Sequence, residues 1–392
     1  MWTDVKLGQL FDIGSSKRVL KSQWQNAGVP FYRGREVTRL ARDGFVDNEL
    51  FISEELFKEF SAKYGVPKSG DIVITAIGTI GNSYIVREDD RFYFKDASVL
   101  WLKKLKEVSS EFINYWLKSS LMKRQLDEGN GATVDTLTIR KLHTLRLMLP
   151  PISEQKRIVA ILDEAFTGID AAISNTEKNL GNARELFESY LTQAFSDHGW
   201  PKKYLSEVAE NLDRKRVPIT KAKRKSGNIP YYGASGVVDH VVDYLFNEDL
   251  LLVSEDGANL LARTYPIAFS ISGKSWVNNH AHVLKFSNIE SQKFVENYLN
   301  SISLSRYVSG MAQPKLNQKA LNSIPVPFPS LTVQKEVVGK LEDISASTSR
   351  LLTVGARKLE ALRELKHSLL HKAFSGELTD DFVEQEVDEA VA

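Results

Sequence analysis

The stretch LPPISEQKRIVAILDEAF occupies residues 149–166, and a similar stretch, FPSLTVQKEVVGKLEDIS, occupies residues 328–345. The two are offset by 179 residues, and the same offset relates Gly131 to Gly310 before them without a gap. It also relates ELFESYLTQAFS (185–196) to ELKHSLLHKAFS (364–375) after them. A repeat held at one offset over about 65 residues predicts two copies of one structural unit.

The segments that precede each copy are less similar, as expected of duplicated domains whose loops differ in length. VPFYRG (29–34) resembles IPYYGA (229–234), and DASVLWL (96–102) resembles HAHVLKF (280–286). The chain therefore alternates variable domains with conserved segments. We expect a first variable domain at 1–150, a conserved helical spacer at 151–199, a second variable domain at 200–330, a second spacer at 331–378, and a flexible acidic tail at 379–392.

Length and composition limit the class of protein. A chain of 392 residues is too long for one ordinary core, and 42% hydrophobic with 26% charged residues is typical of soluble globular proteins. Without cysteine it has no disulfide, no thiol nucleophile and no thiolate metal site. No apolar run approaches the roughly 18 to 20 residues of a membrane span, and the start, MWTDVKLGQLFDIG, lacks the pattern of a signal peptide. We therefore expect a cytoplasmic protein with no membrane partner.

Charge follows the division into variable and conserved parts. The formal net charge is only +1, but the variable domains carry +4 and +5, whereas the conserved segments with the tail carry −4 each. A basic bias confined to the variable domains is compatible with a polyanionic partner.

The conserved segments are predicted to form long helices. Pro150 and Pro151 cannot lie inside a helix, so Ser153 is expected as the N-cap of the first helix, and Thr332 of the second. From there apolar residues recur at heptad spacing over six heptads, which is typical of a coiled coil. The residues expected to pack between the helices are Val159, Leu162, Phe166, Ile169, Ile173, Leu180 and Phe187 of the first helix and Val338, Leu341, Leu352, Leu359 and Leu362 of the second.

Two interpretations of these helices stay open at this point. They could belong to any helical bundle, or they could pack on each other and hold the variable domains a fixed distance apart. About 45 residues at about 1.5 Å per residue make a rod of roughly 67 Å, or one to two turns of B-DNA at about 34 Å per turn. Ser345, Thr348 and Gly355 interrupt the second seam, so its middle is expected to pack more loosely.

Both variable domains are predicted to be mixed α/β with short strands. Tyr32, Arg33 and Arg35 follow a predicted strand, and an arginine can make a bidentate contact to guanine; a surface ion pair is the alternative. In the second domain DRKRVPITKAKRK (213–225) suits the neutralisation of phosphates, or forms a solvated basic loop.

Two adjacent amides, Asn278 and Asn279, could face adenine or could close an Asx turn at a strand end. Together with the basic and aromatic residues near predicted turns they complete the set of candidate contacts. The candidate DNA-binding residues are Lys17, Arg18, Tyr32, Arg33, Arg35, Lys215, Arg216, Lys221, Arg224, Tyr231, Tyr232, Asn278 and Asn279.

A search for catalytic motifs gives no candidate. AFSISGKS (268–275) ends like a phosphate-binding loop, but an alanine replaces its first glycine and a strand-like segment follows it. His280 and His282 alternate on a predicted strand, and His367 and His371 lie one helical turn apart without a third ligand. No G-x-S-x-G, H-E-x-x-H or Asn-Pro-Pro-aromatic motif occurs. The chain is therefore expected to be non-catalytic and to bind neither metal nor cofactor.

The order and repetition of several motifs make the chain similar to a known family. From Trp2 to Leu378 it resembles the specificity subunits of type I restriction-modification systems, through the motif pairs LPPISEQKRIVAILDE with PSLTVQKEVVGKLED and LTQAFS with HKAFSGEL, and through IPYYGASGVVD and GKSWVNNHAHVLKF. The resemblance implies an α+β fold in which two mixed α/β target recognition domains are joined by two long antiparallel helices that form a coiled coil, with a pseudo-twofold internal repeat. Each recognition domain would read one half of a bipartite site on double-stranded DNA.

The resemblance also implies partners. Two methyltransferase subunits carrying S-adenosylmethionine would dock on the helices and methylate adenine at N6, and restriction subunits using ATP and Mg could join them. Two other interpretations remain. The chain could be a repeat scaffold that binds proteins without reading DNA, or the recognition part of a single-chain restriction-methylation enzyme, against which the missing methyltransferase motif argues.

Overall fold

The structure is a computed structural model, and it describes residues 1–127, 136–196, 199–310 and 313–378. The predicted acidic tail at 379–392 lies outside the described residues. The chain divides into two compact units: unit 1 comprises residues 1–175 and the chain from 358 onward, and unit 2 comprises residues 176–357. Each unit holds one variable domain and part of each long helix. None of the helices in the described ranges combines the length and the apolar character that a membrane crossing requires.

Unit 1 begins with a domain of short strands and helices. Its strands are β1 (Thr3–Lys6), β2 (Phe11–Gly14), β3 (Val29–Tyr32), β4 (Phe51–Ile52), β5 (Ile72–Thr75), β6 (Ser83–Ile85), β7 (Tyr93–Phe94), β8 (Val99–Lys104) and β9 (Arg146–Leu149). Its helices are α1 (Leu7–Leu10), α2 (Gly34–Asp43), α3 (Glu54–Tyr64), α4 (Ser110–Lys118), α5 (Ser120–Asp127) and α6 (Ile139–Thr144), followed by the first long helix, α7 (Ile152–Ala194).

The strands of this domain form small sheets. One has the order β2-β8-β5-β6 with antiparallel neighbours, and another has the order β4-β3-β7, in which β3 and β7 run parallel. The β5 stretch IVIT and the first four residues of β8, VLWL, are buried throughout, as continuous apolar strands at the centre of a sheet should be. Strand β1 pairs antiparallel with β9, so the start of the domain lies beside the entry to α7.

Unit 2 repeats this plan. Its strands are β10 (Lys202–Tyr204), β11 (Glu210–Asn211), β12 (Ser226–Gly233), β13 (Gly236–Val241), β14 (Phe246–Asn247), β15 (Leu250–Ser254), β16 (Ala268–Ile271), β17 (Lys274–Val277), β18 (Ala281–Lys285) and β19 (Pro325–Pro327). Its helices are α8 (Leu205–Val208), α9 (Asn259–Ala262), α10 (Ile289–Ser301) and α11 (Gln318–Asn322), followed by the second long helix, α12 (Leu331–Ser375).

The strand order confirms the internal repeat. The sheet β11-β18-β15-β16 corresponds to β2-β8-β5-β6, and the antiparallel pair β10-β19 corresponds to β1-β9. Strand β12 runs parallel to β17 as β3 does to β7. Both variable domains therefore share one mixed α/β topology.

The long helices begin earlier than the sequence predicts. Helix α7 starts at Ile152 and α12 at Leu331, so Ser153 and Thr332 lie inside the helices and the predicted N-caps are wrong. The reason is that the carbonyl of Pro151 already accepts helical hydrogen bonds, which a proline can do although it donates none.

A buried glutamine near the start of α7 ties that helix to the variable domain of unit 1. The side-chain Nε2 of Gln155 donates to the carbonyl of Pro150 at 2.8 Å, and its Oε1 accepts from the backbone N–H of Ser109 at 2.8 Å. Ser109 is the N-cap of α4, and its hydroxyl accepts from the backbone of Phe112. Both polar atoms of the Gln155 side chain are thus hydrogen-bonded, as burial requires.

Gln334 repeats the arrangement in unit 2. Its Nε2 donates to the carbonyl of Pro329 at 2.8 Å, and its Oε1 accepts from the hydroxyl of Ser291 at 2.7 Å in the first turn of α10. Gln155 and Gln334 therefore bond to the same parts of their units, although the donor is a backbone N–H for Gln155 and a hydroxyl for Gln334.

Within unit 2 the long helices run antiparallel. Leu180 of α7 lies against Gly355 of α12, whereas Tyr190, further along α7, lines one small cavity with Lys340, which comes earlier in α12. In unit 1, Lys366 of α12 donates to Asp170 of α7 at 2.6 Å. The coiled-coil pairing implied by the resemblance is therefore present in each unit.

Burial along the long helices follows the predicted seam only in part. Ile158, which the heptad pattern does not place in the seam, is fully buried, while Leu186 lies off the seam and is 68% exposed. Of the residues expected in the seam, those that are buried are Leu162, Phe166, Ile169, Val338 and Leu341, and those that are half-buried are Val159, Ile173, Leu180, Phe187, Leu352, Leu359 and Leu362.

Gly355, expected to loosen the seam, is instead a site of close approach, because a Cβ added there would overlap the side chain of Leu180. We predict that Gly355→Ala lowers the free energy of unfolding, because overpacking costs about 1 to 3 kcal/mol whereas replacing a helical glycine with alanine offsets only up to about 1 kcal/mol. Urea unfolding of the full chain measures the effect, and adding Leu180→Ala should restore part of the loss.

Gly339 on the same helix is the matched control, since none of the described residues comes within 4 Å of a Cβ built there. Gly339→Ala should raise stability by up to about 1 kcal/mol through the lower entropy of the unfolded chain. An equal gain from Gly355→Ala would contradict the close packing of the two helices.

Candidate nucleic-acid interface

Unit 1 carries a groove of about 590 Å³ between helix α2, the loop after β5 and the loop after β7. Among the described residues that line it, five are cationic and none is acidic. The cationic residues are Arg33, Arg35, Arg39, Arg42 and Lys95.

Helix α2 forms one wall of the groove because its two faces differ. Val37 and Leu40 are buried in the domain core, whereas Arg35, Arg39 and Arg42 lie at positions i, i+4 and i+7, which share the helix face that lines the groove. A basic stripe of this spacing on an amphipathic helix suits a helix that lies along a polyanion.

A buried carboxylate holds the first two arginines. Glu36 is 2% exposed and accepts hydrogen bonds from the backbone N–H, Nε and Nη2 of Arg33 at 2.9 to 3.1 Å, and also from Nε of Arg35. Arg35 also pairs with Glu49. Burial raises the pKa of Glu36, but the hydrogen bonds from both arginines together lower it by a larger amount, so the pKa lies below its usual range.

The loop between β5 and β6 forms the opposite wall. Thr75 and Asn82 close its base, since the Thr75 hydroxyl accepts from the backbone N–H of Asn82 at 3.0 Å. The side chain of Asn82 donates to the hydroxyl of Thr38 on α2 at 3.1 Å, which links the two walls. Gly78 has a φ of 77°, which glycine adopts without strain, and its neighbour Ile77 is 47% exposed on the groove.

The other candidates of unit 1, Tyr32, Lys17 and Arg18, do not line this groove. Tyr32 is half-buried and stacks on Phe92 with ring centroids 4.7 Å apart, and burial raises the pKa of its hydroxyl. Lys17 and Arg18 are exposed on the loop after β2, where the Lys17 ammonium lies 5.7 Å from the ring centre of Tyr64.

Unit 2 presents a β-hairpin where unit 1 presents a helix. Strands β12 and β13 pair antiparallel, and β13 is the edge strand of the order β13-β12-β17-β14. Val237 and Val238 on β13 are 48% and 50% exposed, and His240 is also exposed. The candidates Lys215 and Lys221 are exposed on the segment before β12. The unit therefore offers a two-stranded ribbon beside a basic loop.

Arg224 and Tyr231 support this hairpin from within. The Arg224 guanidinium stacks over the Tyr231 ring at 4.2 Å and donates to Asp239 of β13 at 3.0 Å. Tyr231 is 1% exposed, and its hydroxyl accepts from the backbone N–H of Ile219 at 3.0 Å. Tyr232, on the opposite face of the strand, is half-buried and tilted against Phe269.

A polar network fills the interior behind the basic loop. Arg216 donates to Glu255 and to the carbonyl of Ala281 at 2.7 Å each, and its side chain is only 13% exposed. Asp213 accepts from His282 at 2.6 Å. Burial raises the pKa of Asp213, but the hydrogen bond and charge of His282, the backbone N–H of Val283 and the charge of Arg216 together lower it by more, so the pKa lies below its usual range.

Three predicted contacts therefore need correction. The ring of Tyr231 and the amide of Asn278 are buried, and the half-buried guanidinium of Arg216 is held by Glu255. Asn278 accepts from the backbone N–H of His280 at 2.8 Å as an Asx turn. These three side chains make their hydrogen bonds inside the domain. They therefore support the surface but are not available there to contact a ligand. The adjacent Asn279 is exposed.

The sequence reasoning missed several residues of this surface. Arg39, Arg42 and Lys95 line the groove of unit 1, and Val237 and Val238 form the exposed face of the hairpin. The arginines could have been found from the helical spacing in REVTRLAR, whereas the valines look like core residues in any pattern.

Glu36 has a testable role as the anchor of two arginines. Glu36→Gln should lower the stability of unit 1 by about 1 to 3 kcal/mol, because a buried charged acceptor is lost. A carboxyl with a depressed pKa stabilises the fold above its unfolded pKa, and this stabilisation is lost as pH falls through the folded value. Thermal unfolding of the full chain between about pH 3 and pH 7 should therefore show a flatter acid limb for the variant.

Glu59→Gln on α3 is the control, because Glu59 is exposed. It should leave both the stability and its pH dependence within about 0.5 kcal/mol of the parent chain. Equal profiles for Glu36→Gln and Glu59→Gln would show that Glu36 does not anchor the arginines.

No group of three or more metal-ligating side chains occurs in the described ranges.

A family model described as "Type I restriction modification DNA specificity domain" matches residues 1–180 and again residues 197–361. The match is made twice, once for each half of the internal repeat.

Curated proteins of the same kind are similar over parts of the chain. A putative type I restriction enzyme specificity subunit from Haemophilus influenzae is 38% identical over 147 residues, which cover 38% of this chain and 38% of that protein. The EcoBI specificity subunit from Escherichia coli is 30% identical over 168 residues, 41% of this chain and 35% of that protein. The chain thus aligns with little more than a third of these two relatives. A putative MjaX specificity subunit from Methanocaldococcus jannaschii is 21% identical over 411 residues, 96% and 93% of the two chains.

Solved structures share the fold at low identity. A chain from "Structural basis underlying complex assembly and conformational transition of the type I R-M system" has a TM-score of 0.76 at 17% identity, covering 96% of this chain and 98% of that one. The HsdS subunit from Thermoanaerobacter tengcongensis has a TM-score of 0.62 at 17% identity, covering 96% and 97%.

Proposed function

The chain belongs to the type I restriction-modification DNA specificity family, and from that premise we propose that its two variable domains each read one half of a bipartite site on double-stranded DNA. The observation that carries this proposal is the face of α2 with Arg35, Arg39 and Arg42 over a groove lined by cations. A helix of this kind fits the major groove, where arginine can bind guanine through two hydrogen bonds and lysine or arginine can bind phosphates.

The two domains would read different sequences because their surfaces differ in kind. Unit 1 uses a helix, whereas unit 2 uses the β12-β13 ribbon, which is also narrow enough for the major groove. Val237 and Val238 suit contacts with thymine methyl groups, and Lys215 and Lys221 suit contacts with phosphates. The site would therefore consist of two unrelated half-sites.

Two methyltransferase subunits would dock on the long helices. Apolar side chains on the outside of these helices support this, because leucine and valine left in water favour a covering partner. The exposed ones are Leu186 of α7 and Leu331, Leu351, Val354 and Leu365 of α12. The partners would carry S-adenosylmethionine and methylate adenine at N6, and restriction subunits with ATP and Mg would complete the complex.

In this scheme the chain itself performs no chemistry and works in the cytoplasm, beside the DNA that it reads. A scaffold that binds only proteins would explain the helices equally well, but it would leave the cationic groove without a ligand. A salt-dependent shift of duplex DNA by the assembled complex distinguishes the two, because phosphate contacts release counterions.

The half-site assignment can be tested by mapping methylated adenines genome-wide in cells that make the chain with its methyltransferase partner. We expect a split motif with an unread gap. Arg39→Ala should relax or weaken one half-site only, by roughly 10- to 100-fold if a bidentate base contact is lost. Val238→Thr on the hairpin should affect only the other half-site.

Lys58→Ala on α3 is the control, since Lys58 is exposed and does not line the groove. It should leave the motif unchanged. A change in both half-sites from Arg39→Ala would contradict independent readers, and no new methylation despite a stable complex would favour the scaffold.

We also propose that the helix pair sets the length of the unread gap. Helix α7 continues without a break from residues of unit 1 into residues of unit 2, as α12 does in the reverse direction. One heptad inserted after Gly181 of α7, with a second at the facing position of α12, adds about 10 Å of helix, so the gap should lengthen by up to about three base pairs. Both half-sites should keep their sequence, and an unchanged gap in the methylation map would refute the role of the helices as a spacer.

A further inference from the structure

Unit 1 contains a second cavity, of about 600 Å³, bounded by α4, α7, α12 and the last turn of α2. Every residue that lines it belongs to unit 1. Its charged lining residues are Arg42, Lys118, Arg363, Lys366, Asp163 and Asp170, and His367 lies among them.

The acidic residues of this lining are already hydrogen-bonded. Asp163 accepts from the hydroxyl of Tyr115, and Asp170 accepts from the ammonium of Lys366 through both oxygens at 2.6 and 2.7 Å. Neither carboxylate forms an ion pair with Lys118 in the part of the chain that the structure describes, and Asp163 keeps its charge because its donor is a neutral hydroxyl.

Lys118 is the unsatisfied group of the cavity. It ends α4, is half-buried, and makes no hydrogen bond or ion pair with the described residues. Burial, and then the nearby positive charge of Lys366, lower the pKa of Lys118, so the ammonium is destabilised where it lies. An anion that entered the cavity would relieve both effects.

The corresponding place in unit 2 lacks both lysines, although Arg184 corresponds to Arg363. Aligning the N-caps of α4 and α10 places Asn297 opposite Lys118, and the offset of 179 residues places Phe187 opposite Lys366. The amide of Asn297 is satisfied within its own helix, since it donates to the carbonyl of Lys293 at 2.8 Å. Lys118 and Lys366 are therefore features of unit 1 that the internal repeat does not share.

We infer that this cavity is a binding site for a phosphate group, with Lys118 as its central ligand and Arg42 and Arg363 beside it. The lining carries the formal charges of two lysines and two arginines against those of Asp163 and Asp170, and Arg42 also pairs with Asp43 beside it at 2.8 Å, so a phosphate would share that arginine. The rings of Tyr115 and Phe166 border the same space. The phosphate can be free, carried by a nucleotide, or part of a DNA backbone. Arg42 lines both this cavity and the basic groove, which gives the backbone a path between them.

The test uses the full chain and inorganic phosphate. Thermal unfolding is followed with increasing phosphate against chloride at equal ionic strength, and phosphate should raise the melting temperature of the parent chain. Lys118→Met should weaken the apparent phosphate affinity by roughly tenfold or more, because a charge-assisted hydrogen bond is lost. Without phosphate the variant should be at least as stable as the parent, because a poorly compensated charge is removed.

Lys58→Met is the matched control and should respond to phosphate like the parent, since Lys58 is an exposed lysine outside the cavity. Lys118→Asn, which introduces the residue of unit 2, is the second variant if the methionine disturbs folding. No phosphate response in the parent, or an equal response in parent and both Lys118 variants, would overturn the site.

Duplex DNA added to the assembled complex identifies the source of the phosphate. If DNA abolishes the phosphate response and Lys118→Met reduces the salt dependence of DNA binding by about one phosphate contact, the ligand is the DNA backbone. If the response persists with DNA bound, the ligand is a small phosphorylated molecule. Half-site recognition is tested separately by methylation mapping, so a failure of this site leaves the proposed function untouched.

Discussion

The hydrogen bonds of Gln155 and Gln334 fix where each long helix meets its variable domain, and the other features of each unit depend on them. Each glutamine bonds at once to the proline that precedes its helix and to the N-terminal turn of a domain helix, α4 or α10. Loss of one of these hydrogen bonds would leave a buried amide unsatisfied and lower the stability of the fold by about 1 to 3 kcal/mol. A shift of the helix along its axis is therefore unfavourable. The strand pairs β1-β9 and β10-β19 act at the same junction, because they bring the start of each domain to the entry of its helix. The repeated stretch at residues 149–166 and 328–345 therefore encodes this junction.

On that common frame the two domains have diverged where divergence is least costly. The parallel pairing of Phe31 with Tyr93 recurs as that of Tyr231 with Trp276, and the four-stranded sheets have the same order. The connection after the shared strand differs, because α2 begins at Gly34 in unit 1, whereas the chain of unit 2 turns back as the β12-β13 hairpin. Surface connections can change in this way because they carry few buried groups, so one frame can present two unrelated reading surfaces.

The fold could be predicted from the sequence because its determinants are periodic. An ungapped offset predicts the duplication, and heptads predict the helix pair, since both depend only on positions along the chain. The sequence-based predictions fail where a contact with another residue determines the local structure. Ser153 has the residue type of an N-cap, but the carbonyl of Pro151 starts the helix earlier, and Gly355 has the residue type of a weak point, but Leu180 fills the space above it.

The candidate site was predicted less well for a related reason. Residue type indicates what a side chain can bind but not whether it is exposed, and exposure depends on tertiary neighbours. Arg216 and Tyr231 satisfy their polar groups inside unit 2, although basic and aromatic residues near turns are reasonable candidates. Arg39 and Arg42 were within reach of the helical spacing, but only the structure shows that the β5-β6 loop faces them across a groove.

The ion pairs of Arg33 and Arg35 decide how unit 1 can use its arginines. Glu36 is buried and lies on the same helix, so it cannot move aside when a polyanion arrives, and any base or phosphate must bind these guanidinium groups while the carboxylate remains attached. Arg33 gives its Nε and one Nη2 hydrogen to Glu36, which leaves the Nη1 edge for a ligand. Holding a long side chain in place beforehand removes part of the entropy that binding would otherwise cost, about 0.5 to 1.5 kcal/mol for each immobilised side chain. The negative charge of Glu36 therefore offsets part of the positive charge of the arginines, but its hydrogen bonds fix the direction of their remaining donors. A fixed donor direction is what discrimination between base edges requires.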